Sequence, residues 1–237
     1  MTTKLFHTLA AATTLAGVIA TAGTASAASL SYSYNTGGYD TADFDKTFNV
    51  KKFDSSLGTL KKVTVSFLAD ITGSGGIENK GSKSITPTLT LDGILTLQAD
   101  GLTPDPLFEL NPTKTSKFSL DKYDGIDDYA GTSGVKFDGL TASESGSKVF
   151  SDLSSLNVFT GKGTLNFLLS ATAESGLKSS GNYSSLLTTL AKGSFDVTYE
   201  YDPKATPEPS ALVAMGLVAG FGIMSNRKKQ WLKTAKS

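Results

Sequence analysis

The chain contains no cysteine and a single histidine, His7, and each scarcity excludes a class of structure or chemistry. Without cysteine no disulfide can form, so the stability of the fold has to come from a buried apolar core. Ordinary zinc sites and cysteine–histidine catalytic pairs need side chains that are missing here. Catalysis by paired carboxylates stays possible.

The N-terminal residues follow a three-part pattern. Lys4 precedes a run of small, apolar and threonine residues over positions 9–22, and Ala25-Ser26-Ala27 ends it. A positive start, an apolar middle and a small-x-small end are typical of a secretory signal peptide. We therefore expect residues 1–27 to be a signal peptide, cleaved directly after Ala27. Because His7 would leave with it, the mature chain would also lack the imidazole that a Ser-His-Asp triad requires.

Charge is balanced over the whole chain, with 22 basic and 22 acidic residues, but it is not spread evenly. Six basic residues lie in the N-terminal segment and near the C-terminus, so the region between them carries a net charge of about −6. An acidic surface repels phosphate backbones, so nucleic acid is not an expected partner. Cations and non-acidic glycans stay open as ligands.

The C-terminal region has its own three-part pattern. Pro207-Glu208-Pro209 comes first, an apolar stretch covers 211–224, and a basic cluster covers 227–229. Fourteen residues rise about 21 Å as a helix, which is short of the roughly 30 Å hydrocarbon core of a bilayer. The stretch can still insert if the bilayer thins, and its basic flank would then stay on the cytoplasmic side. We expect a short membrane helix here, with the preceding domain outside.

This C-terminal pattern closely resembles the PEP-CTERM protein-sorting signal of Gram-negative bacteria and cyanobacteria. The resemblance covers residues 204–237 and implies recognition by an exosortase-type membrane protease. It also implies a tail that anchors the protein transiently and is cut near the PEP motif. Gln230 to Ser237 extend beyond the point where such tails more often stop. The residues that carry the sorting resemblance are Pro207, Glu208, Pro209, Arg227, Lys228 and Lys229.

Between the two ends, alternating apolar and polar residues indicate strands. Val63, Val65 and Phe67 alternate with Thr64, Ser66 and Leu68, and residues 163–173 and 193–201 follow the same period of two. Thr88–Leu91 and Ile94–Leu97 flank Asp92-Gly93, which predicts a two-residue hairpin turn. The stretch 184–190 fits either a short helix or a strand. Without convincing amphipathic helices, residues 28–203 are predicted to form an all-β, antiparallel two-sheet β-sandwich as one domain.

A second resemblance lies in the predicted sandwich. The segments are Phe53–Leu60, Phe159–Leu165 and Val197–Tyr201, and they look like the choice-of-anchor E domain. That family implies a surface role without an assigned activity. In physical terms the first segment predicts a turn at Gly58, with Phe53, Leu57 and Leu60 filling the core.

Paired carboxylates could still catalyse glycoside hydrolysis, as its acid and its nucleophile or base. The glutamates are scattered, and we expect each of them to be a solvated surface residue. The candidates are Glu78, Glu109, Glu144, Glu174 and Glu200. No catalytic residue is assigned.

The densest acidic run is 121–129, whose loop oxygens could gather around calcium. It is not an EF-hand, because Tyr123, Gly125 and Thr132 occupy positions where that loop needs oxygen ligands. A solvated acidic turn is the expected state, and no metal ligand or cofactor is assigned.

Tyrosines could stack on sugar rings, but those near the two ends of the domain alternate as strand residues do. Packing in or at the edge of the core is therefore expected of Tyr32, Tyr34, Tyr199 and Tyr201.

These patterns together predict an exported, non-catalytic protein of the cell envelope, cell surface or extracellular matrix. Its expected partners are an exosortase-type protease, the membrane through the C-terminal helix, and extracellular polysaccharide. The alternatives from other classes are a carboxylate-based glycan hydrolase, a lectin-like carbohydrate-binding module and a purely structural passenger.

Overall fold

The computed structural model describes residues 27–173 and 175–204. These residues form two antiparallel sheets that pack face to face, so the prediction of an all-β sandwich is confirmed. The predicted signal helix and C-terminal sorting helix fall outside the described residues. The elements in chain order are β1 (Ala28–Asn35), β2 (Asp40–Thr41), β3 (Asp43–Lys51), β4 (Gly58–Asn79), β5 (Thr88–Ala99), β6 (Phe108–Leu110), β7 (Thr113–Lys117), β8 (Gly134–Phe150), α1 (Leu153–Phe159), β9 (Thr164–Ala173), β10 (Gly176–Lys178) and β11 (Tyr183–Pro203).

The first sheet has the strand order β1-β11-β4-β8, and the short β2 pairs with β11. The second sheet has the order β10-β5-β9-β3, and β6 and β7 pair with β5. Two strands are unusually long, since β4 has 22 residues and β11 has 21. Each therefore runs from one end of the sandwich to the other.

Side-chain alternation explains the packing of these strands. Along β4, Val63, Val65 and Phe67 are buried, whereas Ser66 is partly exposed and Leu68 exposed. Successive side chains of a strand point to opposite faces, so one face enters the core and the other meets solvent. The predictions of strands around Val63, in 163–173 and in 193–201 are confirmed. The ambiguous stretch 184–190 is part of β11.

The predicted hairpin at Asp92-Gly93 is wrong, because both residues lie inside the single strand β5. A hairpin with a two-residue turn would put Leu89 and Leu91 on the face opposite to Leu95 and Leu97. In one continuous strand all four leucines share a face, and all four are buried. Gly93 fits there because it passes close to Ile71, whose Cγ2 would lie 3.1 Å from an added Cβ. Burial of four leucines outweighs the local turn preference of Asp-Gly.

The segment Phe53–Leu60 is only partly as predicted. Phe53 and Leu60 are buried, but Leu57 is 44% exposed, so its predicted place in the core is wrong. The Leu57 amide donates to the carbonyl of Asp54 at 3.0 Å and closes a tight turn. That turn carries Leu57 at its tip, away from the core.

The sequence did not indicate the seven-residue helix α1. Asp152 caps it by accepting a hydrogen bond from the amide of Ser155 at 2.9 Å. At its other end Phe159 is fully buried and packs against Phe150 and Tyr199. The helix therefore closes the core at the side where β8 ends.

The sandwich has two ends along its strands. The terminal end contains the start of β1, the start of β4 and the paired residues Ala28 and Tyr201. The loop end contains the end of β4 around Glu78, the start of β8 and the loop 121–133. A large apolar core fills most of the sandwich, and a smaller cluster of Ile77, Ile85 and Leu120 lies at the loop end.

Candidate functional site

Most residues of the predicted sorting signals lie outside the described part of the chain. This holds for Ala25, Pro207, Glu208, Pro209, Arg227, Lys228 and Lys229. Ala27 is described, and it is exposed directly before β1. No helix within residues 27–173 and 175–204 is long and apolar enough to cross a membrane.

Both chain ends of the sandwich meet at the terminal end. Ala28 pairs with Tyr201 in the antiparallel ladder of β1 and β11, and this register continues without a break to Asn35 opposite Ser194. Because the first residue of β1 and the last residues of β11 are neighbours, the chain enters and leaves the sandwich at one place. Lys61 holds Asp202 there through an ion pair of 3.2 Å.

Glu78 lies at the loop end and is completely buried, so the expectation that it is a solvated surface residue is wrong. Its Oε1 accepts a hydrogen bond of 2.6 Å from the Ser133 hydroxyl, whereas its Oε2 has no hydrogen-bond partner in the structure. Unpaired buried polar atoms are rare in proteins because their desolvation costs free energy. Within the described residues, Glu78 Oε2 is thus a buried side-chain oxygen whose lost hydration no hydrogen bond offsets.

The loop 121–133 buries Glu78 by folding over the outer face of β4. Tyr129 takes a positive φ of 57°, which is uncommon for a residue with a side chain, and its ring lies on Gly76. A Cβ at Gly76 would come within 2.7 Å of that ring, and one at Gly134 would come within 2.4 Å of Glu78 Oε2. The two glycines make room for the loop. Nothing in the local sequence around Glu78 signals this cover, because it comes from residues about fifty positions later.

The other glutamates do not join Glu78. Glu200 forms an ion pair of 2.7 Å with Lys62, and Glu144 accepts a hydrogen bond of 2.6 Å from the amide of Asn111. Glu109 is exposed between two buried neighbours of β6, so it lies on the outer face of the second sheet. Glu174 is outside the described residues. The structure does not bring these carboxylates together in the facing arrangement that glycoside hydrolysis uses.

The acidic run 121–129 uses its carboxylates for local contacts. Asp124 and Asp128 each accept a hydrogen bond of 2.9 Å from a backbone amide two residues further on. Asp127 lies 2.6 Å from Lys80 Nζ, and this hydrogen bond raises the pKa of Lys80 above its usual value. In the described part of the chain, no group of three or more His, Cys, Asp or Glu residues could hold a metal ion.

The four tyrosines near the ends of the domain pack as the sequence predicts. Tyr34 and Tyr199 are fully or almost fully buried, Tyr201 is buried, and Tyr32 is half-buried. Tyr34 stacks on Phe195 with ring centroids 5.1 Å apart. The Tyr199 hydroxyl donates a hydrogen bond of 2.7 Å to the carbonyl of Lys51, and burial raises the pKa of Tyr199. None of the four forms an exposed platform for sugars.

Among the described residues, two surface pockets could each hold a ligand. The first, of about 390 Å³, is named the amide pocket and lies where β5 ends and β9 begins. Its polar side chains are Thr47, Gln98, Asp100, Asp105 and Asn166. Asn166 Nδ2 donates to Asp100 Oδ2 at 3.1 Å, which fixes both groups at the pocket wall.

The second, of about 320 Å³, is named the lysine pocket and lies at the terminal end. Its charged side chains are Lys51, Lys52, Lys162 and Asp54, and Leu30, Tyr32 and Leu57 complete the wall. Each pocket combines residues from several segments, so no contiguous motif could have revealed it.

Comparison with known proteins adds little. No protein-family model matches the chain, and no curated protein matches it. Among solved structures, a structure of infectious bursal disease virus Gx strain is similar with 12% identity and a TM-score of 0.18 over 84% of this chain. The VP2 subviral particle of the same virus gives 11% identity and a TM-score of 0.16 over 74% of this chain. The chain spans about half the length of the first and 38% of the second. At such scores these similarities support no argument about function.

Proposed function

We propose that this chain is an exported, non-catalytic protein of the cell surface or extracellular matrix. An N-terminal signal peptide over residues 1–27 directs it out of the cell. A PEP-CTERM-like tail over residues 204–237 then presents it to an exosortase-type membrane protease. The delivered part is the β-sandwich, which associates with extracellular polysaccharide.

The observation that carries this proposal is the pairing of Ala28 with Tyr201. Because β1 begins at Ala28 and β11 ends at Pro203, cleavage after Ala27 and near Pro207 would leave every described strand intact. Both processed segments would also leave the sandwich at the same end, so one membrane could hold both during export. A fold with its two chain ends at opposite poles would lack this property.

Intact mass spectrometry of the native protein tests the proposal. The protein is recovered from membrane, surface-polymer and medium fractions of the cell that makes it. We expect a mass that begins at Ala28 and ends between Pro207 and Ser210 in the fractions away from the membrane. A full-length tail found only in the membrane fraction would instead describe a permanently anchored ectodomain.

Replacement of the sorting residues sharpens that test. We expect Glu208→Ala combined with Pro209→Ala to shift the protein into the membrane fraction with its tail retained. Lys233→Ala, which lies in the same tail beyond the basic cluster, is the matched control and should leave the mass unchanged. Equal processing of both variants would contradict recognition of the PEP motif.

A lectin-like role is a second candidate, and the amide pocket favours it. Carboxamide and carboxylate groups at a fixed spacing can bind pairs of sugar hydroxyls, and Asn166 and Asp100 are held together by their hydrogen bond. Retention of the protein on a column of its purified exopolysaccharide tests this role. We expect Asn166→Ala to abolish retention and Asn49→Ala, an exposed neighbour on β3, to preserve it. Equal retention of both variants would exclude the amide pocket as the glycan site.

A further inference from the structure

We propose that the terminal end of the sandwich is a docking surface for anionic phospholipid headgroups, with the lysine pocket as the place where a headgroup phosphate binds. This inference rests on the proposed function, because it takes the two terminal segments to be held at a membrane. It adds a second contact between protein and bilayer, made by the folded domain itself.

The charge of the lysine pocket is opposite to that of the domain. Lys51 and Lys162 are exposed, Lys52 is half-buried, and Asp54 is the one acidic side chain of the wall. The sandwich as a whole carries about six negative charges in excess. Two further lysines at this end, Lys61 and Lys62, are in ion pairs with Asp202 and Glu200. A local excess of positive charge on an acidic domain fits an anionic ligand.

The pocket is held in shape by backbone hydrogen bonds between its two lysine-bearing segments. The Lys52 amide donates to the carbonyl of Gly163 at 3.1 Å, and the Gly161 amide donates to the carbonyl of Phe53 at 3.0 Å. Gly161 and Gly163 both have positive φ angles, which lets this short loop fold back against β3. The Tyr199 hydroxyl fixes the carbonyl of Lys51 from the core side. A ligand therefore meets lysines on a fixed scaffold.

Apolar side chains lie beside these charges. Leu57 lines the pocket at the tip of its turn and is 44% exposed. Tyr32 adds a half-buried aromatic ring to the pocket wall. An exposed leucine that can enter the headgroup layer, next to a tyrosine and several lysines, matches the chemistry of a membrane–water interface.

The position of the pocket favours lipid over a soluble polyanion. Leu30, which lines it, is two residues from Ala28, where the chain enters the sandwich, and Tyr201 pairs with Ala28. A domain tethered to a bilayer at this end meets headgroups at a high effective concentration, so a weak site is sufficient for docking. A neutral glycan would not use the excess of positive charge that three lysines and one aspartate give to the pocket wall.

The absence of cysteine allows a direct test with the full-length chain. Ser55→Cys places a single polarity-sensitive fluorophore in the exposed turn beside Leu57, and Ile126→Cys places the same label in the loop end. Each protein is reconstituted in vesicles of phosphatidylcholine alone or mixed with phosphatidylglycerol. We expect the label at residue 55 to shift to the blue only in the anionic vesicles and to return in high salt. The label at residue 126 should not respond.

Charge variants connect this response to the pocket. Each lysine near an anionic surface contributes about a fivefold change in partition, so Lys51→Glu with Lys162→Glu should lower docking at least about 25-fold. Lys117→Glu with Lys178→Glu, two exposed lysines of the loop end, is the matched control and should dock as the parent does.

Each outcome decides the proposal. An equal shift in neutral and anionic vesicles, or an unchanged shift in the Lys51/Lys162 variant, overturns it. So does a shift caused by free polygalacturonate without vesicles, since the pocket would then bind a soluble acidic glycan.

Flotation with vesicles separates docking of the sandwich from anchoring by the C-terminal tail. A chain that floats with neutral vesicles but shows no shift in anionic ones is anchored without docking. A chain that floats only with anionic vesicles, with the shift, docks without the proposed anchor, and one that floats with neither overturns both.

Discussion

The terminal end and the loop end share the long strands β4 and β11, yet they are filled in different ways. The main core, which reaches the terminal end at Ala28 and Tyr201, is filled by interlocking rings of both sheets. Phe195, for example, contacts Tyr34, Phe48 and Phe167 with ring centroids 5.1 to 5.3 Å apart. At the loop end, a small apolar cluster lies beside the buried carboxylate of Glu78. Strand β4 therefore packs against a dense apolar core along most of its length and carries a buried polar side chain near its end.

This difference has a consequence for stability. Segments with few buried apolar contacts open locally at a lower free-energy cost than the global unfolding of the domain. The loop end has three buried apolar residues in its cluster and a carboxylate oxygen without a partner. We therefore expect the two ends to differ in local stability although the backbone ladder is continuous.

The largest effect is expected from Phe195→Ala in the main core. Removal of this ring leaves a cavity between the sheets and should lower the free energy of unfolding by about 3–5 kcal/mol. Ile77→Ala is the matched substitution in the loop-end cluster. Urea denaturation gives the total loss for each, and amide hydrogen exchange locates it. We expect Phe195→Ala to accelerate exchange throughout the sandwich and Ile77→Ala to accelerate it only around the loop end. Faster exchange throughout the sandwich in Ile77→Ala would mean that both ends unfold as one unit.

A second effect concerns the hydroxyl that reaches Glu78. Ser133→Ala removes the hydrogen bond to Oε1 and leaves both oxygens of a buried carboxyl group without a partner. This should lower the free energy of unfolding by about 1–3 kcal/mol. Ser143→Ala removes a serine hydroxyl that donates to Asp70 at an exposed site, so its effect should stay within about 0.5 kcal/mol. If urea titrations gave equal losses of unfolding free energy for the two variants, the hydrogen bond to the buried Glu78 would be worth no more than one at an exposed site.

Tyr199→Phe tests a single polar contact at the terminal end. It removes the hydrogen bond to the carbonyl of Lys51 while the ring remains, so a loss of about 1 kcal/mol is expected at neutral pH. Burial raises the pKa of Tyr199, so its protonated hydroxyl stabilises the folded state fully below the unfolded pKa of about 10. This stabilisation is lost as the pH rises above that value. Alkaline denaturation should therefore begin at a lower pH in the parent than in the variant. Tyr39→Phe, at an exposed position, should change neutral stability little.

The smallest effect is expected at the cap of α1. A hydrogen bond from the Ser154 hydroxyl, followed by that from the amide of Ser155, lowers the pKa of Asp152 from 3.8 to about 2. The depressed pKa means that the charged cap stabilises the fold above pH 4 and loses this effect as the pH falls towards about 2. Asp152→Asn keeps a capping oxygen but removes the charge, so the melting temperatures of parent and variant should differ slightly at neutral pH and converge in acid. A constant difference across this pH range would contradict the charge effect.

Side-chain period was sufficient to predict the sandwich and three of its main strands. The buried series Val63, Val65 and Phe67 needs only alternation, which is a local property of the sequence. The error at Asp92-Gly93 arose because the turn signal spans two residues whereas the leucine parity that overrides it spans nine, from Leu89 to Leu97. A check of which face each leucine would occupy on either side of the turn would have predicted one strand.

The candidate sites were beyond such reasoning. Glu78 is buried by Tyr129 and Ser133, and the lysine pocket joins residues of β1, β3 and the loop before β9. Contacts between segments so distant in sequence depend on the whole topology and leave no local pattern. The sorting signals differ from these sites, because each is a short contiguous motif that can be recognised in the sequence itself. They stay predictions.

The continuity of β11 also determines how the domain would respond to force. A pull on the chain at Asp202 against a partner held at the loop end stretches the sandwich along its strands. Ladder hydrogen bonds lie perpendicular to antiparallel strands, so such a load is shared by the whole β4–β11 pair at once. A pull between Ala28 and Asp202 instead opens the β1–β11 ladder one pair at a time, beginning at Ala28 and Tyr201. The same domain should thus resist a pull along its strands strongly and a pull between its two chain ends only weakly.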